Sequence, residues 1–256
     1  PVYAREHGRL LVIGHPCRAR GPTECAPLPD RFIELIEIAV ERVDAYWHAP
    51  WRHRIVVLVP GSVREVTRLL QATFDVEDFV AFAYSTVDVK KGIDYTGHRI
   101  VINPGALEGR SEEVIVSILA HELLHIATRS SAGPFVPVFV DEGIAEYVGH
   151  QADPGSLAFF NSEVAAGLFN GLLPEDFEFT TGSGTDIFRS YQKAESAISF
   201  FVERWGLANF TRFYRRLGNV AYEPGTVRYH VDVALKKTIG IGLDSFERQW
   251  ADTIAG

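Results

Sequence analysis

The sequence predicts an α+β fold, with a small mixed sheet in the N-terminal half and helices in the C-terminal half. Three observations predict it. Up to about residue 110, short β-branched runs alternate with helical stripes; from Pro137 onward, apolar residues recur at helical spacing between short loops. The composition is globular, 46% hydrophobic and 23% charged over 256 residues, enough chain to bury a substantial core.

Arg9 to His15 (RLLVIGH) reads as a strand, followed by a turn-rich loop from Pro16 to Pro29. Asp30 to Trp47 carries Phe32, Leu35, Ile36, Ala39, Val40 and Val43 on one helical face. Arg54 to Val59 is a β-branched strand closed by Pro60-Gly61, and Ser62 with Glu65 forms a capping box for a helix to about Ala72. Phe79 to Val89 and His98 to Asn103 read as strands joined by the polar turn Lys90 to Gly97. Ser111-Glu112-Glu113 places a capping hydroxyl and two carboxylates at the start of a helix to about Arg129. Further helices are expected near 138–150, 155–169, 187–204, 206–217, 226–238 and 244–254, the last opened by an Asp244/Glu247 capping box. Thr180 to Thr185 reads as a flexible loop; it lacks the Gly-Lys-Ser/Thr ending of a phosphate cradle. The pattern divides the chain into residues 1–130 and 131–256, two lobes of one domain. Trp47 and Trp51 are expected to pack the first lobe.

Several function classes are excluded. Seventeen Phe, nine Tyr and four Trp argue against a disordered chain. Apolar runs such as Ile55 to Val59 fall far short of the ~20 residues of a membrane span. With a formal net charge of −8 and only a short Arg212, Arg215, Arg216 cluster at helical spacing, a nucleic-acid partner is not expected. The chain begins at Pro1 and contains no Met, from which either a processed chain or a recombinantly trimmed one is expected. Cys17 and Cys25 are open to three readings: a small-loop disulfide, which is favoured, two unpaired thiols, or half a metal site.

The segment that carries chemistry is His121-Glu122-Leu123-Leu124-His125. Residues four apart share one helix face, so two imidazoles can converge on one zinc ion through ~2.0–2.1 Å bonds. Glu122 projects beside them, where its carboxylate can act as general base on a zinc-bound water without ligating the metal. The flanking residues Val114, Ile115, Val116, Ile118, Leu119, Leu123, Leu124 and Ile126 mark a buried helix, in which unpartnered His and Glu side chains are costly. Downstream, past a Gly/Pro turn, Asp141-Glu142-Gly143-Ile144-Ala145-Glu146-Tyr147 opens a second helix. A hydrolytic zinc takes three protein ligands and keeps one position open, and Glu142 would be the third.

H-E-x-x-H followed by E-G-x-A-x-Y resembles the gluzincin clan of zinc metallopeptidases, especially the small peptidase MA-like bacterial members, over about residues 79 to 205. The resemblance implies a zincin-like fold, with His121, His125 and Glu142 on zinc and Glu122 as the base. It implies Glu146 as an outer acceptor that fixes a ligand histidine in its tautomer. Ser190-Tyr191-Gln192-Lys193-Ala194 is similar to the Tyr-x-Lys-Gly-Ala segment of gluzincin aminopeptidases, which implies Tyr191 as hydrogen-bond donor to the oxyanion; His230 is the alternative donor. The Gly-x-Met-Glu-Asn segment that captures a free amine in those enzymes is absent, so endopeptidase specificity is expected. A peptide or protein substrate would occupy an inter-lobe cleft, paired to one of the two strands at 79–89 or 98–103. The family likeness also implies an exported bacterial protein. Two other classes stay open: a zinc-bound, non-cleaving binding or regulatory module, and a metal-free helical interaction domain.

Overall fold

A computed structural model describes residues 3–14, 28–72, 76–77, 79–88, 94–107, 109–133, 135–151, 153, 155–219 and 225–255. Cys17 and Cys25, and the turn at 89–93, lie outside the described residues. The chain is α+β and forms two compact units, residues 1–45 with 50–130 and residues 46–49 with 131–256.

The first unit is a five-stranded mixed sheet with helices. The elements are β1 (Tyr3–His7), β2 (Leu10–Gly14), α1 (Leu28–Tyr46), β3 (Ile55–Val59), α2 (Val63–Leu70), β4 (Ala81–Asp88), β5 (Asp94–Ile102), the short α3 (Pro104–Leu107) and α4 (Glu112–Thr128). Strand order is β1-β2-β3-β5-β4. The central β2, β3 and β5 are parallel, while β1 and β4 run antiparallel at the two edges. The central strands carry the apolar residues: Val12, Val57, Ile100 and Val101 are fully buried. Strands buried on both faces read as continuous apolar runs, which is why β3 was legible as IVVLV. Helix α1 buries Leu35, Ile36, Ala39 and Val43, and Val66 of α2 joins Val76 and Val101 in a local cluster.

Sequence reasoning missed β1. Its residues, YAREH, carry no apolar alternation, and Ala4, Glu6 and His7 are exposed; a polar edge strand has no periodic signal. Of the two candidate strands for substrate pairing, β4 is the edge and β5 is internal. The β4/β5 ladder slips between Tyr84 and Thr86, with Gly97 at φ +62° supplying the left-handed residue of the irregularity. Beside it, the Ser85 hydroxyl and His98 Nδ1 are 2.8 Å apart.

The second unit is helical: α5 (Val138–Gly149), α6 (Ala158–Ala165), a 3₁₀ turn at Asp176–Phe179, α7 (Gly184–Trp205), α8 (Leu207–Gly218), α9 (Val227–Ile239) and α10 (Leu243–Ala255). Helix α7 is its axis. Ser190, Gln192, Lys193, Glu195 and Ser196 are buried along with Ala194, Ala197 and Phe201. Buried polar groups need partners, and each has one. The Phe160 N–H donates to Gln192 Oε1 (2.8 Å) and Trp250 Nε1 to Ser196 Oγ (3.2 Å). Lys193 Nζ reaches Asn170 Oδ1 (3.3 Å) and the Ser190 hydroxyl donates to the Asp186 carbonyl (3.2 Å).

Four expectations are corrected. Helix α6 is much shorter than 155–169, since Gly167 takes a positive φ and stops it. Gly184 and Thr185, read as flexible loop, belong to α7, whose N-terminus is a Ser183/Asp186 capping box. No such box opens α10, because Glu247 is turned inward, 4% exposed, and accepts from Leu173 N and Arg228. Trp47 packs in the second unit, edge-on to Tyr214 with centroids 5.2 Å apart. Among the described residues no helix is long and apolar enough to cross a membrane.

Candidate metal centre

Helix α4 brings the histidines together. The Ser111 side chain caps it by accepting from Val114 N (3.4 Å), and Leu119, Ala120, Leu123, Leu124 and Ala127 are buried to 1% or less. That apolar surround fixes the rotation of the helix. His121 Nε2 and His125 Nε2 face each other at 3.2 Å, with rings 4.8 Å apart and 79° between their planes. Two ring nitrogens meet at that distance only with a proton or a cation between them. Two donors bound at ~2.0–2.1 Å with a tetrahedral angle stand about 3.3 Å apart, so the pair fits a zinc-class ion. The Glu122 carboxylate accepts from the Ala83 N–H of the edge strand β4 at 2.5 Å. That bond ties the position of Glu122 to the sheet edge.

Glu142 and Glu146 lie on α5, Tyr191 on α7, all in the second unit. Three contacts within that unit set α5. Asp176 Oδ1 accepts from Val138 N at 2.9 Å, capping a helix whose N-cap, Pro137, has no side-chain cap of its own. The Tyr214 hydroxyl, fully buried, donates to Asp141 Oδ1 at 2.6 Å. Gly143 faces α7 so closely that a Cβ there would stand 2.8 Å from the Ala194 carbonyl oxygen and from Ile198 Cγ1. The glycine next to Glu142 is therefore required by helix packing, a physical reason for the Glu-Gly pair.

Tyr191 is half-buried and meets Phe179 edge-on, centroids 5.2 Å apart. Tyr147 sits edge-on to Tyr46 at 5.9 Å; burial, then the nearby Tyr46 and Glu203, push its phenol above the ordinary value. His230 is 3% exposed, its ring 4.1 Å from that of Phe135 at a tilt of 38°, and its Nε2 has no hydrogen-bond partner among the described residues. A cavity of about 320 Å³ opens beside the N-terminus of α5, lined by Phe139, Leu173, Phe177, Arg228 and Val231 among others. None of the residues singled out from sequence lines it.

Sequence reasoning missed a second group. Glu146, His150 and Glu195 bring their ligand atoms within 4.8 Å of one another, which makes them a potential metal-binding set. The available signal was positional: Glu195 follows Ala194 and precedes Ile198 by three on α7, inside the buried stripe, where a lone carboxylate needs a reason. His150 is the C-cap of α5 and carries no motif.

Comparison with known protein families and with curated proteins finds no match to this chain.

Proposed function

We propose that this chain is a zinc-dependent endopeptidase with a zincin-like fold, in which His121, His125 and Glu142 hold the metal and Glu122 is the general base. The observation that carries the reading is the 3.2 Å approach of the two Nε2 atoms on a largely buried helix; the adjacent Glu122 accepts from the Ala83 N–H of the edge strand. The donor set, two imidazoles and a carboxylate, suits zinc. The H-E-x-x-H and E-G-x-A-x-Y resemblance adds to it.

Zinc in such a set supplies Lewis-acid polarisation of a scissile carbonyl and acidifies water. The chain's own groups do the rest. Glu122 takes the proton of the attacking water and delivers it to the leaving amine, as a base that becomes an acid. Tyr191 donates a hydrogen bond to the developing oxyanion. Glu146 holds a ligand histidine in one tautomer. Among the described residues no other strand covers the outer edge of β4, and an extended peptide would add to it there, backbone to backbone. The Ala83 N–H, held by Glu122 in the resting site, is one donor that such a strand would meet.

The test is the zinc content of the purified chain after dialysis against metal-free buffer, wild type beside Glu142→Ala. The expected result is tightly held zinc, with one equivalent lost or weakened in the variant. Equal zinc in both, or none in either after zinc is added back, would overturn the proposed ligand set.

A further inference from the structure

We infer that Glu146, His150 and Glu195 form a second divalent-cation site, lying wholly within the helical unit and joining α5 to α7. It does not depend on the peptidase reading.

The argument begins with the buried glutamates. Glu163, Glu195 and Glu247 are each 7% exposed or less. A buried carboxylate is costly unless a cation answers it. For two of the three the answer is an arginine: Arg189 Nε lies 2.6 Å from Glu163, and Arg228 spans both oxygens of Glu247 at 3.1 and 2.8 Å. Glu195 is different. Among the described residues its partners are the Ser156 hydroxyl, which donates to Oε1 at 2.8 Å, and His150 Nδ1, 3.1 Å from Oε2. No Lys or Arg of the described residues forms an ion pair with it.

A second carboxylate crowds the same nitrogen. Glu146 Oε2 stands 3.2 Å from His150 Nδ1. One ring nitrogen carries at most one proton, and a single N–H aims well at only one acceptor. One N–H therefore does not serve both carboxylates, and the Glu195 side chain is 5% and the Glu146 side chain 17% exposed. A divalent cation balances both.

The spacing fits. Donors bound at ~2.0–2.1 Å stand about 2.9 Å apart at a right angle and about 3.3 Å apart at a tetrahedral one. The two nitrogen–oxygen separations, 3.1 and 3.2 Å, fall between. One imidazole with two carboxylates is a borderline donor set that takes zinc or manganese ahead of calcium, which wants six or more oxygens. Ser156 on the outer oxygen of Glu195 orients that ligand, the usual service of a group behind a metal ligand. Glu146 meets His150 through Oε2, and a carboxylate with two oxygens can ligate through one and still serve the histidine-orienting role proposed above.

The geometry also gives the site a consequence. His150 caps the C-terminus of α5 and Glu195 lies mid-way along α7. A cation there would clamp the two helices one to two turns beyond the Gly143 contact, and so hold the helix that carries Glu142.

The test is a Zn²⁺ titration of the metal-stripped full chain against a chromophoric chelator, for wild type, Glu142→Ala and Glu195→Gln, with far-UV circular dichroism on each. The proposal predicts an equivalent of zinc that survives Glu142→Ala and is lost in Glu195→Gln. If wild type binds zinc only at the first site, Glu142→Ala abolishes all binding and this inference falls while the peptidase centre stands. If the equivalent that survives Glu142→Ala disappears in Glu195→Gln and nothing else is bound, this site stands and the first ligand set falls. Unchanged stoichiometry in a folded Glu195→Gln chain overturns the second site. Should Glu195→Gln fail to fold, His150→Gln replaces it, since that side chain is 30% exposed and tolerates change; the same loss is expected, and its absence refutes the site.

Discussion

Replacing Gly143 by alanine tests how closely α5 must sit against α7. The new Cβ would lie 2.8 Å from the Ala194 carbonyl oxygen and from Ile198 Cγ1, where ordinary contact begins near 3.4 Å. The helices must part by about 0.6 Å to admit it, because one obstacle is backbone in the middle of a buried helix and has no rotamer to change. Overpacking of this kind costs about 1–3 kcal/mol, and the rigid carbonyl places this case at the upper end. Alanine in a helix interior returns about 1 kcal/mol relative to glycine. The net expectation is a loss of about 2 kcal/mol. Urea unfolding of the full chain measures it, with Gly184→Ala as control: a Cβ there meets nothing within 4 Å, so the control should be neutral or slightly stabilised. Because Glu142 precedes Gly143 and Glu146 follows it by three, zinc affinity should fall with stability. A Gly143→Ala chain as stable as wild type would refute the packing argument.

Two further outcomes follow from the charged network of the second unit. Among the described residues, Arg228→Ala leaves the buried Glu247 with only the Leu173 N–H; breaking a buried pair costs about 3–5 kcal/mol, reduced here to about 2 because Arg228 is 44% exposed and water can take its place. Lys236→Ala, in an exposed pair with Asp232, should leave the melting curve unchanged, and equal losses in both variants would contradict the burial argument. At the start of α7, the Ser183 hydroxyl and backbone N–H, then Arg189, hold the Asp186 carboxyl down at about 2 from an ordinary 3.8. A depressed carboxyl stabilises the fold above the unfolded value, so this cap is complete above pH 3.8 and is lost as pH falls toward about 2. A carbon-detected NMR titration of Asp186 should show a midpoint near 2 that rises in Ser183→Ala; a midpoint at the ordinary value in wild type would contradict the box.

The parts of the fold legible in the sequence are those whose signal is local. The stripe of α1, the β-branched run of β3 and the Ser111 cap of α4 each express one periodicity or one hydrogen bond within a few residues. The i, i+4 histidines were legible for the same reason, since helix geometry alone puts them on one face. What was not legible depends on distant partners. β1 pairs through its backbone, which any side chains permit. Glu195 and His150 look like the polar face of two amphipathic helices until α7 is seen to be buried on every side over residues 192–198. Glu247 reads as a capping residue because its true partners, Leu173 and Arg228, are far away in sequence. Trp47 follows α1 in the chain yet packs on Tyr214, a long-range contact that no local pattern announces.

The central claim is that Glu122 works as a base beside a metal held by His121, His125 and Glu142. The most direct test is turnover of a fluorogenic peptide library by zinc-loaded wild type and zinc-loaded Glu122→Gln, with zinc content measured on the same samples. The account predicts equal zinc in the two and a fall in turnover of about 10²–10⁴-fold or more in the variant. Hydrolysis undiminished in Glu122→Gln, or a zinc-loaded wild type that cleaves no peptide in the library, would contradict it.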